Sequence, residues 1–178
     1  TTTMSKLFSP SPVACQCGAN HYSVLAKPLF RFVCHCEVCQ AYTGKPFSDV
    51  TLHLTKNIQV GSLASTEFKT WRSPPNIKRG TCLQCNSPVV EYGLLDKLAF
   101  VPASLYKDAS WLPAPELHIF YHRRRSDVND GVRKCSGYAA SQLAFARVLV
   151  GKLIDRKEKY LLLENAEFLA QIAFAPTS

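Results

Sequence analysis

The stretch Cys34-His35-Cys36-Glu37-Val38-Cys39 puts three thiols on one short segment. Two pairs flank it: Cys15-Gln16-Cys17-Gly18 before it, and Arg79-Gly80-Thr81-Cys82-Leu83-Gln84-Cys85-Asn86 after it. The chain has 178 residues and eight cysteines, and only Cys135 stands apart from these clusters. A disulfide needs paired Cβ vectors, whereas sulfurs two or three residues apart suit convergence on one ion. Soft thiolates at this density select zinc or an iron–sulfur cluster.

A closed structural zinc takes four protein ligands, and a catalytic one keeps three and an open position. Seven clustered cysteines divide as four plus three. Cys34, Cys36 and Cys39 can form a site by themselves, while Cys15, Cys17, Cys82 and Cys85 would tie the N-terminal segment to the central knuckle. The alternative is a single four-cysteine site with three bystanders. Cys135 reads as a plain thiol. His35, flanked by ligands on both sides, is expected to point away from the metal, and Glu37 reads as a surface carboxylate. Asn86, following the Cys82/Cys85 knuckle, sits where the chain often needs positive φ, which asparagine tolerates.

Working outward, β-rich stretches fall at 22–26, 30–33, 50–54, 66–71, 88–92, 98–101 and 117–121. Gly44, Gly61, the Ser73-Pro74-Pro75-Asn76 turn, Gly80, Gly93 and Pro113-Ala114-Pro115 punctuate them. Short strands at this spacing predict a mainly β, antiparallel domain over 10–138, preceded by a tail at 1–9. From 139 to 178 the composition turns to Ala, Leu, Lys and Glu, which favour helix. Leu143, Ala146, Val150, Leu153, Ile154 and Leu161 form an apolar stripe at helical spacing. The stripe should pack on the β domain or, alternatively, join two copies in a homodimer. Gly151 marks a possible break into two helices.

Hydrophobic residues at 47% and charged residues at 19% argue against disorder. The best apolar run, 143–154, is cut by Arg147, Gly151 and Lys152, so no membrane span is expected. The front of the chain lacks a charged-then-apolar signal segment, which points to the cytoplasm, where thiols stay reduced. The formal charge is +8. Most of it lies in residues 1–138, where 16 Lys/Arg face 9 Asp/Glu, yet Arg123-Arg124-Arg125 is the one local block. Such scattered charge argues against nucleic-acid binding as the main role. No phosphate loop, dinucleotide glycine motif, zincin helix or serine elbow occurs.

The ordered set Cys15-x-Cys17-Gly18, Cys34-His35-Cys36-x-x-Cys39 with Thr43-Gly44-Lys45-Pro46-Phe47, Gly61, and Arg79-Gly80-x-Cys82-x-x-Cys85-x-Ser87-Pro88 resembles the glutathione-dependent formaldehyde-activating enzyme family. Pro115-x-x-His118-Ile119-Phe120 and Asp130-Gly131-Val132-x-Lys134 are similar to it as well. The resemblance covers about residues 10–138. It implies a β-tent fold of stacked antiparallel sheets and two zinc ions: a structural one on Cys15, Cys17, Cys82 and Cys85, and a second on Cys34, Cys36 and Cys39. It also implies a carbon–sulfur lyase that joins glutathione to formaldehyde. Asn86 stands where the family usually has glycine, Arg123-Arg124-Arg125-Ser126 where a tryptophan is usual, and the last 40 residues have no counterpart. The competing expectation is a zinc-stabilised protein-binding module without chemistry.

Overall fold

The computed structural model describes residues 8–72 and 76–173, with the side chains of the last helix described as far as Lys157. Most of the N-terminal tail, residues 73–75 of the proline turn and the side chain of Leu161 lie outside the described residues. Among the described residues, eleven strands form two sheets. The small sheet has the order β1-β2-β5, from β1 (Ser11–Ala14), β2 (His21–Val24) and β5 (Ile58–Ser62). The large sheet runs β11-β10-β3-β4-β9-β8-β7-β6. Its strands are β3 (Phe30–Cys34), β4 (Ser48–Leu54), β6 (Thr66–Thr70), β7 (Ile77–Cys82), β8 (Pro88–Gly93), β9 (Leu98–Pro102), β10 (Leu117–Ile119) and β11 (Arg133–Lys134). Helix α1 (Glu37–Thr43) follows β3, and α2 (Tyr138–Ala173) ends the chain.

The mainly β architecture with a C-terminal helix is as expected, with differences that have physical causes. All seven anticipated strands are present, but β1, β5, β7 and β11 come in addition. Two glycines that looked like breaks lie inside strands. A Cβ on Gly61 in β5 would stand 2.3 Å from the His21 imidazole, and one on Gly80 in β7 would stand 2.8 Å from Phe68 and Thr66. Both positions are glycine because a neighbour fills the side-chain space. Pairing is antiparallel except at β10, which runs parallel to both β3 and β11. Helix α1 is capped by Cys36, whose sulfur accepts from the Cys39 N–H, and closed by Gly44 at φ 66°.

Period-two alternation in the large sheet separates two cores. In β9, Leu98 and Phe100 point to one side while Ala99 and Val101 point to the other, so the strand is buried throughout. Val13, Tyr22 and Val24 of the small sheet meet Val89, Val90, Ala99 and Val101 on one face. On the opposite face, Phe30, Phe32, Val50, Leu52 and Phe100 meet Ala144, Phe145, Val148 and Leu149 of α2. The molecule is therefore three layers: small sheet, large sheet, helix.

The helix is one continuous rod through Gly151, not two pieces. The stripe that docks it also differs from the expected one. Ser141, Ala144, Phe145, Val148 and Leu149 face the sheet, while Leu143, Val150 and Ile154 are each 52% exposed. Phe145 decides the rotation, since its ring packs on those of Phe30, Phe32 and Phe100 at 5.4, 5.0 and 6.4 Å. Burying that ring outweighs the aliphatic side chains a third of a turn away.

Candidate metal centres

Cys15 follows β1, Cys17 lies in the turn before β2, Cys82 ends β7, and Cys85 sits in the knuckle after it. Their sulfurs all lie within 4.8 Å of one another. Three separations are 3.6, 3.7 and 3.7 Å, for Cys15–Cys17, Cys15–Cys82 and Cys17–Cys82. A tetrahedron with zinc–sulfur arms of about 2.3 Å has edges of about 3.8 Å, whereas a disulfide closes to about 2.05 Å. The four thiols therefore fit a tetrahedral thiophilic ion. Backbone N–H groups aim at the sulfurs as thiolates require: Asn20 N lies 3.3 Å from Cys15 Sγ, and Gln84 N lies 3.4 Å from Cys82 Sγ. Ser87 Oγ, 3.0 Å from Cys85 Sγ, helps bring that thiol down to about 6. Asn86 has φ 55°, as its place in the knuckle demands.

The second cluster is built differently. Cys34 is the last residue of β3, Cys36 caps α1, and Cys39 lies in its first turn. Their sulfurs also converge within 4.8 Å. Hydrogen bonds from Cys34 and Cys39, together with the Cys39 N–H and the Arg79 charge, push the Cys36 thiol down to about 2, while the Cys36 thiolate and burial push Cys34 up. The triad thus gathers negative charge in a buried place, and Arg79 Nη2 approaches Cys39 Sγ to 4.0 Å. Arg79 in turn faces Glu91, with Nε 2.9 Å from Oε2, although the Nε–H does not point along that line. Burial pushes Glu91 up to about 7, against the pull of Arg79. These thiols suit a soft ion with three ligands from the chain and one position open toward a cavity.

That cavity holds about 200 Å³ and reaches from the three cysteines to α2. Phe32, Phe100, Phe120 and Phe145 line it, with Arg79 and Glu91 on one wall. Phe120 occupies the left-handed region at φ 55°, with its N–H held by Ser141 Oγ at 2.8 Å. A bulky residue there is strained, and such strain gathers at functional sites.

His35 points away from the cysteines, as expected, into a buried chain of polar groups. Its Nε2 lies 2.8 Å from His118 Nδ1, and His118 Nε2 lies 2.7 Å from Asp130, which Lys134 also contacts. Burial and the neighbouring His118 push His35 down to about 4, and Lys134 and His118 hold Asp130 well below the ordinary carboxylate range. Gln40 Nε2 donates to the His35 and Arg123 carbonyls, and Arg125 Nε donates to Gln40 Oε1. This network fixes the loop that carries Cys34 and Cys36. Glu37 is exposed and pairs with Arg123 at 3.1 Å. Sequence reading missed the roles of Arg79, Glu91, His118 and Asp130. Three of them lie within the quoted family stretches, where a signal existed, but Glu91 sits in a β-rich run that gives none.

Layered sheets carrying two cysteine clusters that could hold metal ions define a mainly β protein with candidate thiolate sites. A family signature described as glutathione-dependent formaldehyde-activating enzyme matches residues 11–123, more than half of the chain. The chain belongs to that family. No curated protein sequence matches it. A crystal structure of a Rhodobacter sphaeroides protein is similar at 16% identity, covering 54% of this chain and 87% of that one, with a TM-score of 0.46. Among the described residues, no helix is long and apolar enough to cross a membrane.

Proposed function

We propose that the chain is a zinc-dependent carbon–sulfur lyase that condenses glutathione or a similar thiol with formaldehyde, with Cys34, Cys36 and Cys39 as ligands of the working zinc. The observation that carries this reading is the odd number of converging thiols, three beside a cavity, against four in a closed knuckle. Cys34, Cys36 and Cys39 would hold the zinc, which when bound would lower the pKa of an incoming thiol. The reaction is balanced: the carbon–sulfur bond forms, the carbonyl π pair moves to oxygen, and the proton lost by the thiol ends there. Arg79 offsets the charge gathered on the thiolates. The His35–His118–Asp130 chain holds the ligand loop in place. Cys15, Cys17, Cys82 and Cys85 take the structural zinc, giving two ions per chain.

The basic front domain favours an anionic thiol such as glutathione. Separations too long for disulfides suit a reducing cytoplasm, and the exposed Leu143, Val150 and Ile154 favour a homodimer through the helices. The second reading, a zinc-stabilised protein-binding module, rests on that same exposed helix face. Calorimetric titration of the zinc-loaded protein with glutathione and S-methylglutathione separates the two. The lyase reading expects glutathione to bind far more tightly, because the methylated sulfur cannot form a thiolate. Equal affinity, or binding of neither, would favour the module.

A further inference from the structure

The cavity beside Cys34, Cys36 and Cys39 is too large and too apolar for formaldehyde alone. Formaldehyde has two heavy atoms and needs little more than the ~30 Å³ that one water occupies. The cavity holds about 200 Å³, and an apolar cavity of about 150 Å³ is enough for benzene. Its walls are largely aromatic, from Phe32, Phe100, Phe120 and Phe145. Phe145 stands edge-on to Phe32 at 5.0 Å, and Phe32 stands edge-on to Phe100 at 6.1 Å. Such geometry rewards an inserted aromatic or branched apolar group. The cavity is equally unsuited to the body of glutathione, which carries two carboxylates. The buried cation on its wall, Arg79, already faces Glu91, and the other arginine that lines it, Arg72, is exposed to solvent. A charged tripeptide therefore belongs outside the mouth, with only its sulfur reaching the cysteines. One wall comes from α2 through Gln142 and Phe145, both beyond the residues 11–123 that define the family.

We infer that the carbonyl substrate carries an apolar substituent of about phenyl size, seated among Phe32, Phe100, Phe120 and Phe145, and that α2 sets this preference. The inference rests on the lyase reading and extends its carbonyl partners from formaldehyde to aromatic or branched aldehydes. Addition is the same balanced step: the thiol sulfur bonds to the carbonyl carbon, and the oxygen takes the thiol proton.

Benzyl alcohol tests the cavity apart from the chemistry, because it has the ring but no electrophilic carbon. Its binding to the full-length, zinc-loaded protein can be followed by ligand-detected NMR. Parallel assays with glutathione compare kcat/KM for benzaldehyde and formaldehyde. We expect benzyl alcohol to bind and benzaldehyde to be the better substrate. Phe145→Trp, which fills the cavity, should weaken benzyl alcohol at least tenfold and lower the benzaldehyde-to-formaldehyde ratio by a similar factor. Should that variant fail to fold, Gln142→Trp alters the same wall at an exposed position and should lower both in the same direction. Formaldehyde turnover without benzyl alcohol binding would overturn the inference and leave the lyase reading intact. Benzyl alcohol binding that Phe145→Trp abolishes, with no adduct from any aldehyde, would uphold the cavity's ligand class and sink the lyase reading. Equal binding to the wild type and both variants would overturn the inference.

Discussion

The two faces of the large sheet carry the same ligand chemistry in opposite surroundings. On the small-sheet face, Cys15, Cys17, Cys82 and Cys85 join segments distant in the chain, and their sulfurs converge within 4.8 Å of one another. On the helix face, Cys34, Cys36 and Cys39 come from one strand end and one helix turn, and the space beside them is open cavity. A site assembled from distant segments does the work of a cross-link. A site assembled locally could hold or lose an ion without loosening the chain. Thiol count alone does not make that distinction; the sequence separation of the ligands does.

The largest test of that contrast is loss of one ligand on each face. Cys82→Ser should leave the protein unfolded or insoluble, because structural zinc supplies folding free energy on the order of 10 kcal/mol. Cys36→Ser should keep its circular dichroism spectrum and bind one ion fewer per chain by elemental analysis. A native Cys82→Ser beside an unfolded Cys36→Ser would reverse the assignment.

The next effect is smaller and confined to the helix face. Arg79→Met leaves Glu91 buried without its cation, and breaking such a pair costs about 3–5 kcal/mol when the remaining group is charged. Glu91 already sits near 7, above its unfolded value of 4.5. A carboxyl raised in this way favours the folded state at low pH and works against it as pH rises. The variant should therefore be close to wild type near pH 5 and, because its carboxyl then stays protonated, fall behind by up to about 1.4 kcal/mol at pH 8, measured by urea unfolding. Adding Glu91→Gln should flatten the difference. A pH-independent loss would mean that the arginine acts by packing alone.

Much of this contrast was legible in the sequence, and the limits have physical causes. Cysteine spacing marked both clusters because metal chemistry tolerates few arrangements of thiols. Strand periodicity located the stretches where β-branched and aromatic residues alternate. Gly61 and Gly80 misled, because local sequence reports a glycine's freedom but not the His21 or Phe68 side chain that demands its smallness. The docking face of α2 was misjudged for a similar reason: Leu143, Val150 and Ile154 make the more regular stripe, yet Phe145 finds three aromatic partners from strands far away in the chain. Arg79 and Glu91 meet across adjacent strands, a pairing no single segment reveals.

The small-sheet face should show the opposite pH signature. His53 is buried against Thr51 and Tyr106, with Nε2 2.8 Å from the Tyr106 hydroxyl and Nδ1 without a partner among the described residues. Burial, helped by the charge of Arg156, pushes it down to about 4. The unfolded chain takes up that proton near pH 6.5, whereas the folded chain resists until about 4, so stability is full above 6.5 and declines as pH falls between them. The slope approaches about 1.4 kcal/mol per pH unit. His53→Gln, which cannot titrate, should show a shallower decline over that window than the wild type. Parallel curves would mean that the imidazole is protonated in the folded state and that this face has no such buried titration.

The smallest effect asks whether α2 unfolds together with the helix face. Gly151 lies inside the helix, and a Cβ there would meet nothing within 4 Å. Alanine should stabilise the helix by up to about 1 kcal/mol. Where that gain appears is the informative part. Phe145, Val148 and Leu149 tie the first turns to the aromatic core, so propagation through position 151 should be felt there. If so, Gly151→Ala should raise the global unfolding midpoint and slow hydrogen exchange at the amides of 144–149. A gain in helical signal with an unchanged midpoint would show that the rod frays independently beyond Leu149. The wall of the three-cysteine cavity would then owe its order to the core contacts of Phe145 alone, and the helix beyond it would be free to serve another partner.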